Sequence, residues 1–327
     1  MTTSPAPAPE GTDERPGMID AVPVRHPGRW VVVVVIAVLL AMFVHLLVTN
    51  PAFNWSFVWQ AMVQSPVLRG LVMGTLLGTA GSMVIGVTLG ILVAVMRLSA
   101  NPVLSGVAWA FTWFFRAVPR LVLLTIMGAL GVLFPAPKGL GIGFPFGTQL
   151  MGLFGIDNDL ILWHLDANQI FTGIIGGIIG LGLSEAAYMA EIARAGILSV
   201  DTGQREAASA LGMSNGKAMR RVVLPQAMRV IVPPTGNETI AMVKDTSLLI
   251  AIPVSNELFF QLSSIGSRTY ETFPVLVAAV IWYLLICSVL MAIQSRLEAY
   301  FGRGFGSSGP SDPGMRSKML SMVGGSK

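Results

Sequence analysis

Long apolar segments separated by polar ones divide this chain and predict helices that cross a membrane. A helix needs about 20 mostly apolar residues to span a hydrocarbon core roughly 30 Å thick. Six segments reach that length, and they cover residues 30–48, 69–96, 103–134, 170–193, 227–253 and 273–293. The pattern therefore predicts an all-α integral membrane protein with six transmembrane helices and both termini on one side.

Positively charged residues indicate which side that is. With cytoplasmic termini, the inner segments hold 15 of the 21 lysines and arginines, whereas the outer segments hold only Arg69, Lys138 and Arg268. The remaining three lie within the predicted spans. An excess of Lys and Arg marks the cytoplasmic side of a membrane protein. Both termini are therefore expected in the cytoplasm, and the formal net charge of +4 does not indicate a nucleic-acid partner.

The composition agrees with a membrane protein and excludes several other classes. Of the 327 residues, 53% are hydrophobic and 12% are charged, which is about half the charged fraction of an average soluble domain. A cytosolic enzyme, a disordered protein and a nucleic-acid binder with a basic face are thus excluded. Cys287 is the only cysteine and the three histidines lie far apart, so neither a disulfide framework nor a metal site is expected.

The two ends of the chain are predicted to lie outside the folded part. Residues 1–28 are rich in Pro, Ala and charge, and residues 302–327 are rich in Gly and Ser, which predicts disordered cytoplasmic tails. Residues 29–49 form the first span. A cleaved signal peptide is the alternative interpretation of this span. A retained anchor is favoured, because the apolar run is long and Val48-Thr49-Asn50-Pro51 lacks the small-residue pattern of a cleavage site.

Glycines recur every four residues in the second and fourth predicted spans. Small residues at this spacing let the backbones of neighbouring helices approach closely. We therefore expect tight helix packing along the sets Gly70/Gly74/Gly78, Gly86/Gly90, Gly173/Gly177 and Gly176/Gly180.

The segment 197–225, between the fourth and fifth spans, carries the most informative local pattern. Asp201, followed three residues later by Gln204, has the spacing of a capping box, which predicts a short helix over residues 204–211. Gly212 stands where a left-handed residue ends such a helix. The helix would present a small apolar strip suited to docking on another protein, formed by Ala207, Ala208 and Leu211.

A second, basic helix is predicted after this glycine. Ser214 is a suitable N-cap residue, and the basic residues Lys217, Arg220 and Arg221 follow it. Because proline cannot continue a helix freely, Leu224-Pro225 is expected to end it.

The same segment matches a family motif. Glu206-Ala207-Ala208, Gly212, Val222 and Leu224-Pro225 follow the spacing E-A-A-x3-G-x9-V-x-L-P, which resembles the EAA loop of ABC importer permeases, E-A-A-x3-G-x9-I-x-L-P. Gly216-Lys217 is not a phosphate-binding loop, because the next residue is neither Ser nor Thr and no glycine precedes at the required spacing. The resemblance implies that this chain binds no cofactor itself and that a partner ATPase binds ATP and Mg²⁺.

Flanking residues narrow the resemblance to the polar amino-acid permeases of the histidine/glutamine type. These residues lie in the segments 187–197, 203–208, 224–227, 244–248 and 257–258, and the resemblance covers residues 66–300. Members of that family usually have five spans, so the first span here is extra. Their usual R-G-T-P-L motif reads Arg116-Ala117-Val118-Pro119-Arg120 in this chain, and Pro119 is expected to bend the third span.

The resemblance implies the transmembrane permease subunit of an ATP-driven importer for a polar amino acid, in the plasma membrane of a prokaryote. Such a subunit pairs with a second permease subunit, like or unlike itself. The pair sits on two cytoplasmic ABC ATPase subunits and receives substrate from an extracytoplasmic binding protein. The segment 197–225 would couple the ATPase to the spans. The residues assigned to ATPase coupling are Gln204, Glu206, Ala207, Ala208, Leu211, Gly212, Leu224 and Pro225.

Ionisable side chains inside the spans point to the substrate pathway, because charge in a membrane is costly and usually faces the bundle interior or a hydrated cavity. A zwitterionic amino acid needs a cation for its carboxylate and carboxylates or carbonyls for its ammonium group. Pro233-Pro234 is expected to break the fifth span and free such carbonyls. The candidate substrate-pathway residues are Arg116, Asn237, Glu238, Lys244, Asp245, Thr246 and Ser247.

Pairing among the charges within the spans is the competing interpretation. It is favoured for Arg120 and Glu185, and it stays open for Arg116, Glu238 and Asp245. Arg116 and Arg120 are four residues apart, so they are expected to share a helix face and to repel each other unless paired or hydrated. Glu238 and Asp245 are seven apart and are also expected on one face.

Two other functions remain as alternatives. The chain could be a secondary transporter driven by an ion gradient, with Glu238 and Asp245 as proton carriers. It could instead be a permease-like subunit that scaffolds a transporter without transporting, which the altered residues 116–120 leave open.

Overall fold

The computed structural model describes residues 27–133, 140–143, 151–155, 161–165, 170–171, 173–252 and 254–301. The tails predicted to be disordered lie outside these residues, apart from Pro27 and Gly28, which begin the first helix. The chain divides into two units, residues 1–51 and 52–327, and each is described by itself.

The first unit contains one long apolar helix, α1 (Pro27–Thr49). Its side chains are exposed along almost the whole length, and a run of valines opens it. Near its end the Thr49 hydroxyl donates to the carbonyl of His45, at 2.7 Å. The helix begins two residues before the predicted span 29–49 and is long enough to cross a membrane.

The second unit is nearly all helical. Its helices are α2 (Trp55–Met62), α3 (Ser65–Arg97, with a π-helical stretch Gly70–Leu76), α4 (Pro102–Ala117), α5 (Arg120–Leu133), α6 (Gly173–Leu198), α7 (Thr202–Ala210), α8 (Asn215–Ala218), α9 (Leu224–Asp245), α10 (Leu258–Thr269) and α11 (Thr272–Phe301). A π-helical turn, Met219–Val223, joins α8 to α9, and a 3₁₀ helix, Thr246–Ala251, follows α9. A further 3₁₀ turn, Pro51–Phe53, precedes α2.

The all-α prediction is incomplete, because the predicted outer loop contains two strands. Strands β1 (Leu140–Gly143) and β2 (Ile161–Leu165) pair antiparallel. Leu140 lies opposite Leu165, and the register shifts at Gly143. Glycine is depleted in strands, so the glycine-rich segment gave no alternating pattern from which a strand would be predicted.

The structure does not confirm six spans. Within the described residues, four helices are long and apolar enough to cross a membrane, and these are Gly28–Thr49, α3, α6 and α11. The pair α4 and α5 passes the same test only if taken together as one bent span. The helix of the fifth predicted span, α9, is not among them. Its 22 residues are less apolar, since they include Arg229, Glu238, Lys244 and Asp245.

The predicted third span is two helices rather than one. The axes of α4 and α5 differ by 103°, and the break falls at Val118-Pro119. Val118 is extended, with φ −81° and ψ 128°, because a residue that precedes proline is disfavoured in the helical region. The predicted bend at Pro119 is therefore confirmed, and it leaves the two helices nearly perpendicular.

The prolines of the predicted fifth span do not break it, and that prediction is wrong. Pro233 and Pro234 lie inside the continuous helix α9. The Thr235 hydroxyl donates to the carbonyl of Ile231 at 2.8 Å, and the Gln294 amide on α11 lies 3.4 Å from the carbonyl of Pro233. Neighbouring side chains thus bond backbone oxygens near the prolines, which is how such residues are tolerated within membrane helices.

Glycines bring α3 and α6 into close contact, as their spacing predicts. A Cβ atom added at Gly86 would lie 2.6 Å from Cγ of Glu185, and one at Gly90 would lie 2.6 Å from Cβ of Met189. Both distances are shorter than any real carbon contact. Side chains larger than hydrogen would therefore separate the two helices.

A core of buried side chains lies where α3, α5, α6 and α9 meet, and a second one joins α2, α10 and α11. The first core consists of Met83, Leu124, Leu181, Met242, Leu249, Ile252 and Val254. The second consists of Val58, Ala61, Met62, Val67, Leu258, Leu262, Ile265, Val275, Ala278 and Ala279.

A buried carboxylate fixes the start of α10. Glu257 is fully buried, and its side chain accepts from the backbone N–H of Phe260 at 3.0 Å. It also accepts from the hydroxyls of Thr75 on α3 and Tyr283 on α11, each at 3.0 Å. Gly74 makes room for this junction, because a Cβ there would lie 2.1 Å from the carbonyl oxygen of Asn256.

We expect Gly74→Ala to destabilise the protein by about 1–3 kcal/mol, the usual cost of overpacking, because the start of α10 must move away from α3. Gly78→Ala is the matched control on the same helix, since its Cβ would lie 3.6 Å from Ile174, an ordinary contact. The thermal unfolding temperature in detergent measures the difference. Equal unfolding temperatures for the two variants would contradict the role of Gly74.

Candidate functional site

The ionisable side chains of three helices meet around one guanidinium group. Arg120 Nη2 lies 3.0 Å from Glu185 Oε2 and 4.0 Å from Glu238 Oε2. Arg120 Nη1 bonds Asp245 Oδ2. One cation therefore faces three carboxylates, and we name Arg120, Glu185, Glu238 and Asp245 the charge cluster.

Local sequence features place each member of the charge cluster. Arg120 is the first residue of α5, so the break before it sets its direction. Glu185 lies near the middle of α6 and is fully buried, against the glycine face of α3. Glu238 and Asp245 point to the same side of α9, which confirms the prediction from their seven-residue spacing.

Arg116 and Arg120 do not share a helix face, and that prediction is wrong because the bend separates them. Both guanidinium groups lie over the ring of Tyr188, at 5.6 Å and 4.9 Å from its centroid, a cation–π geometry. Arg120 is compensated by its carboxylates. Arg116 instead lines a neighbouring cavity of about 500 Å³, together with Arg97, Trp109, Thr112, Trp113, Ala117, Tyr188 and Glu191.

The other predicted substrate-pathway residues do not converge on the charge cluster. Lys244 and Ser247 line a different cavity, of about 460 Å³, on the side of α10 and α11. The Asn237 side chain accepts from the Gln294 amide at 2.9 Å. Thr246 is buried and donates to the carbonyl of Val243.

Pairing among the charges within the spans, the interpretation favoured for Arg120 and Glu185, is confirmed for these two residues. That interpretation left both of them outside the candidate substrate-pathway residues. The structure places both in the same cluster as Glu238 and Asp245. A signal was present, since Arg120 is where the chain departs from the usual family motif, but nothing local connected that residue to α9.

The first helix of the segment 197–225 is capped at both ends as predicted. Asp201 Oδ1 accepts from the backbone N–H of Gly203 at 2.7 Å. Gly212 has a left-handed φ of +73°. The N–H groups of Gly212 and Met213 donate to the carbonyls of Ser209 and Ala208, at 2.9 and 3.0 Å, which is a Schellman motif. The helix covers Thr202–Ala210, slightly earlier than the predicted 204–211.

This helix presents part of the predicted apolar strip to the outside. Leu211 is 79% exposed and Ala207 is exposed, whereas Ala208 is buried. Gln204 and Glu206 are also exposed. The Arg205 guanidinium holds the helix to the end of α6, because it donates to the carbonyl of Ile197 at 2.8 Å.

The prediction that Leu224-Pro225 ends the second helix is wrong. The chain stays helical from Asn215 through a π turn into α9. In that turn the N–H of Leu224 donates to the carbonyl of Met219, five residues earlier. A wide turn of this kind accommodates an extra residue, and Pro225 follows it directly as the second residue of α9.

Comparison with known proteins gives the family. Residues 86–301 match the family described as binding-protein-dependent transport system inner membrane component, and the chain belongs to this family. It is 43% identical over 296 residues to the arginine transport system permease protein ArgU of Corynebacterium glutamicum, covering 90% of this chain and 87% of ArgU.

Two further similarities agree with this assignment. The chain is 31% identical over 217 residues to the histidine/lysine/arginine/ornithine transport system permease protein HisM of Salmonella typhimurium, covering 66% of this chain and 82% of HisM. It also resembles the crystal structure of an amino acid ABC transporter with histidines, with a TM-score of 0.54 and 30% identity over 72% of this chain and 94% of that one. The predicted relation to amino-acid ABC importer permeases is confirmed.

We expect Asp201→Ala to weaken α7 by about 0.5–2 kcal/mol, the usual worth of an N-cap, because the N–H of Gly203 loses its acceptor. Backbone amides of α7 should then exchange with solvent roughly two- to thirty-fold faster. Ser214→Ala is the matched control, since Ser214 occupies an N-cap position without a side-chain hydrogen bond. Unchanged exchange in Asp201→Ala would contradict the capping role.

Proposed function

We propose that the chain is the transmembrane permease subunit of an ATP-driven importer for a polar amino acid, with basic amino acids as the preferred class. The observation that carries this proposal is the family match together with the exposed, doubly capped helix α7 in the segment that matches the EAA motif. ArgU and HisM, whose names include arginine, support the basic class.

The segment 197–225 couples this chain to its ATPase. Leu211 offers an exposed apolar side chain at the end of a rigid helix, a geometry suited to docking in a groove on another protein. Its base is anchored in a small core of Ile197, Val200, Val223 and Ala227. The coupling residues are Gln204, Glu206, Ala207, Ala208, Leu211, Gly212, Leu224 and Pro225. ATP and Mg²⁺ belong to the partner ATPase.

The proposed assembly contains two permease subunits, alike or different, and two cytoplasmic ATPase subunits, with an extracytoplasmic binding protein that delivers substrate. The permease core is residues 66–300, preceded by the extra span 29–49 and flanked by the tails 1–28 and 302–327. In this topology α4 and α5 together make the third span, α9 is the fifth, α11 is the sixth, and both termini face the cytoplasm of a prokaryotic cell.

The substrate passes close to Arg116, Glu238 and Asp245. The carboxylates of Glu238 and Asp245 are 27% and 28% exposed, so they are open to a cation. Arg116 lies over the Tyr188 ring, as Arg120 does, and suits a carboxylate. Asn237, Lys244, Thr246 and Ser247 stay candidate residues for other stages of the pathway.

We expect Gly212→Val to uncouple ATP hydrolysis from uptake, because a β-branched residue at a φ of +73° is strained and unwinds the end of α7. Nothing lies within 4 Å of an added Cβ at Gly212 or at Gly216, so Gly216→Val is a control with equal space and no positive φ. ATP-dependent uptake and ATPase rate in proteoliposomes with all partners measure coupling. Equal uptake by both variants would remove the coupling role.

We expect Asp245→Asn to lower L-arginine uptake by about tenfold or more, the effect of losing a hydrogen bond to a charged group. Glu298→Gln on α11 is the control, since Glu298 accepts only from the neighbouring Gln294 among the described contacts. The assay uses ATP-loaded proteoliposomes with ATPase and binding protein. Wild-type uptake by Asp245→Asn would exclude that residue, and uptake driven by an ion gradient without ATP would favour the secondary transporter.

A further inference from the structure

The charge cluster holds more negative charge than its own cation neutralises. Arg120 is the cation within 4 Å of Glu185, Glu238 and Asp245 in the part of the chain that the structure describes. With all four groups ionised, the formal charge is −2. Charge of this size inside a membrane helix bundle calls for a further cation.

One oxygen of the charge cluster also lacks a hydrogen-bond donor. The Glu185 side chain is fully buried, and while Oε2 accepts from Arg120, Oε1 has no partner among the described residues. A buried oxygen left without a donor costs free energy. An arginine can bond both oxygens of one carboxylate side by side, so Glu185 is able to hold the whole guanidinium group of Arg120.

The other two carboxylates are held less completely. Glu238 lies 4.0 Å from Arg120, beyond hydrogen-bond distance, and both Glu238 and Asp245 are partly exposed. If Arg120 turned fully toward Glu185, these two would be released together on the open side of the charge cluster.

We infer that Arg120 is a specificity-determining residue: its guanidinium occupies, in the absence of substrate, the place that the cationic group of a basic amino acid takes at Asp245 and Glu238. This inference rests on the proposed function and deepens it. When the substrate cation arrives, Arg120 moves to both oxygens of Glu185. A basic amino acid supplies a second cation, on its side chain, that replaces Arg120 at Asp245, whereas an amino acid with a neutral side chain supplies only its α-ammonium group.

The position of Arg120 in the fold means that this exchange also changes an interaction between two helices. Arg120 is the first residue of α5, immediately after the 103° break, and its bond to Asp245 joins α5 to α9. Displacing that bond removes the ion pair between α5 and α9, while the bond to α6 remains. Basic substrates therefore break the Arg120–Asp245 ion pair between α5 and α9, and substrates with a neutral side chain leave it intact.

The test measures binding of L-arginine and of L-glutamine to the complete transporter, by radioligand binding in detergent, for wild type and Arg120→Leu. In Arg120→Leu the guanidinium group no longer competes with substrate for Asp245. The affinity for L-arginine should therefore rise by about tenfold or more, while the affinity for L-glutamine stays within twofold. Arg120→Lys should restore in part the wild-type ratio of the affinity for L-arginine to the affinity for L-glutamine. Arg194→Leu, which removes a cation paired with Glu191 at 2.8 Å, is the control and should leave the ratio unchanged.

A ratio unchanged in Arg120→Leu, with the complex intact by size-exclusion chromatography, would overturn the inference, as would loss of L-arginine binding. If Arg120→Leu fails to assemble, Glu185→Gln is the second variant. It weakens the place to which Arg120 withdraws, so L-arginine should bind less tightly and L-glutamine unchanged, and equal effects on both would also overturn the inference. ATP-dependent uptake by wild type tests the proposed function separately, because it does not depend on this ratio.

Discussion

The ion pair between Arg120 and Glu185 is the interaction on which the interior of the bundle depends. Glu185 is fully buried near the middle of α6, and an ionised carboxylate in such a place is tolerated only with a hydrogen-bonded counter-ion. Two local features of the sequence make this ion pair possible. Gly86 removes a side chain that would fill the space of Glu185, and the break at Val118-Pro119 turns the start of α5 toward α6.

A second buried carboxylate in the same chain is satisfied differently. Glu257 takes its donors from a backbone N–H and from the hydroxyls of Thr75 and Tyr283, none of which carries a charge. Those donors belong to the packed helices α3, α10 and α11. The junction at Glu257 is therefore a fixed one, whereas Arg120 faces three carboxylates and can exchange its partners among them.

Short-range features of the fold were predictable from the sequence, and long-range ones were not. The caps at Asp201 and Gly212, the bend at Pro119 and the close approach at Gly86 each follow from a few neighbouring residues. The charge cluster joins residues 65 and 125 positions apart in the chain, and no local pattern specifies such a partner. The prediction that Pro233-Pro234 breaks its helix is wrong for the same reason. The Gln294 amide on α11, which lies near the carbonyl of Pro233, is distant in the chain and is not specified by the sequence around the prolines.

The segment that matches the EAA motif and the charge cluster are connected by continuous helices. From Leu198 back to Glu185 the chain follows α6 for roughly 20 Å, and from Leu224 to Asp245 it follows α9 for roughly 32 Å, at 1.5 Å per residue. Both helices contribute to one small core at the base of α7, and each carries a carboxylate paired with the same guanidinium. A push at Leu211 that rotates or shifts one helix relative to the other must therefore alter the distances from Arg120 to Glu185 and Asp245. Ion pairs in a low-dielectric interior are sensitive to small changes in separation. In the proposed assembly, the charge cluster therefore lies where motion of the segment that contacts the ATPase would change the affinity for a cation.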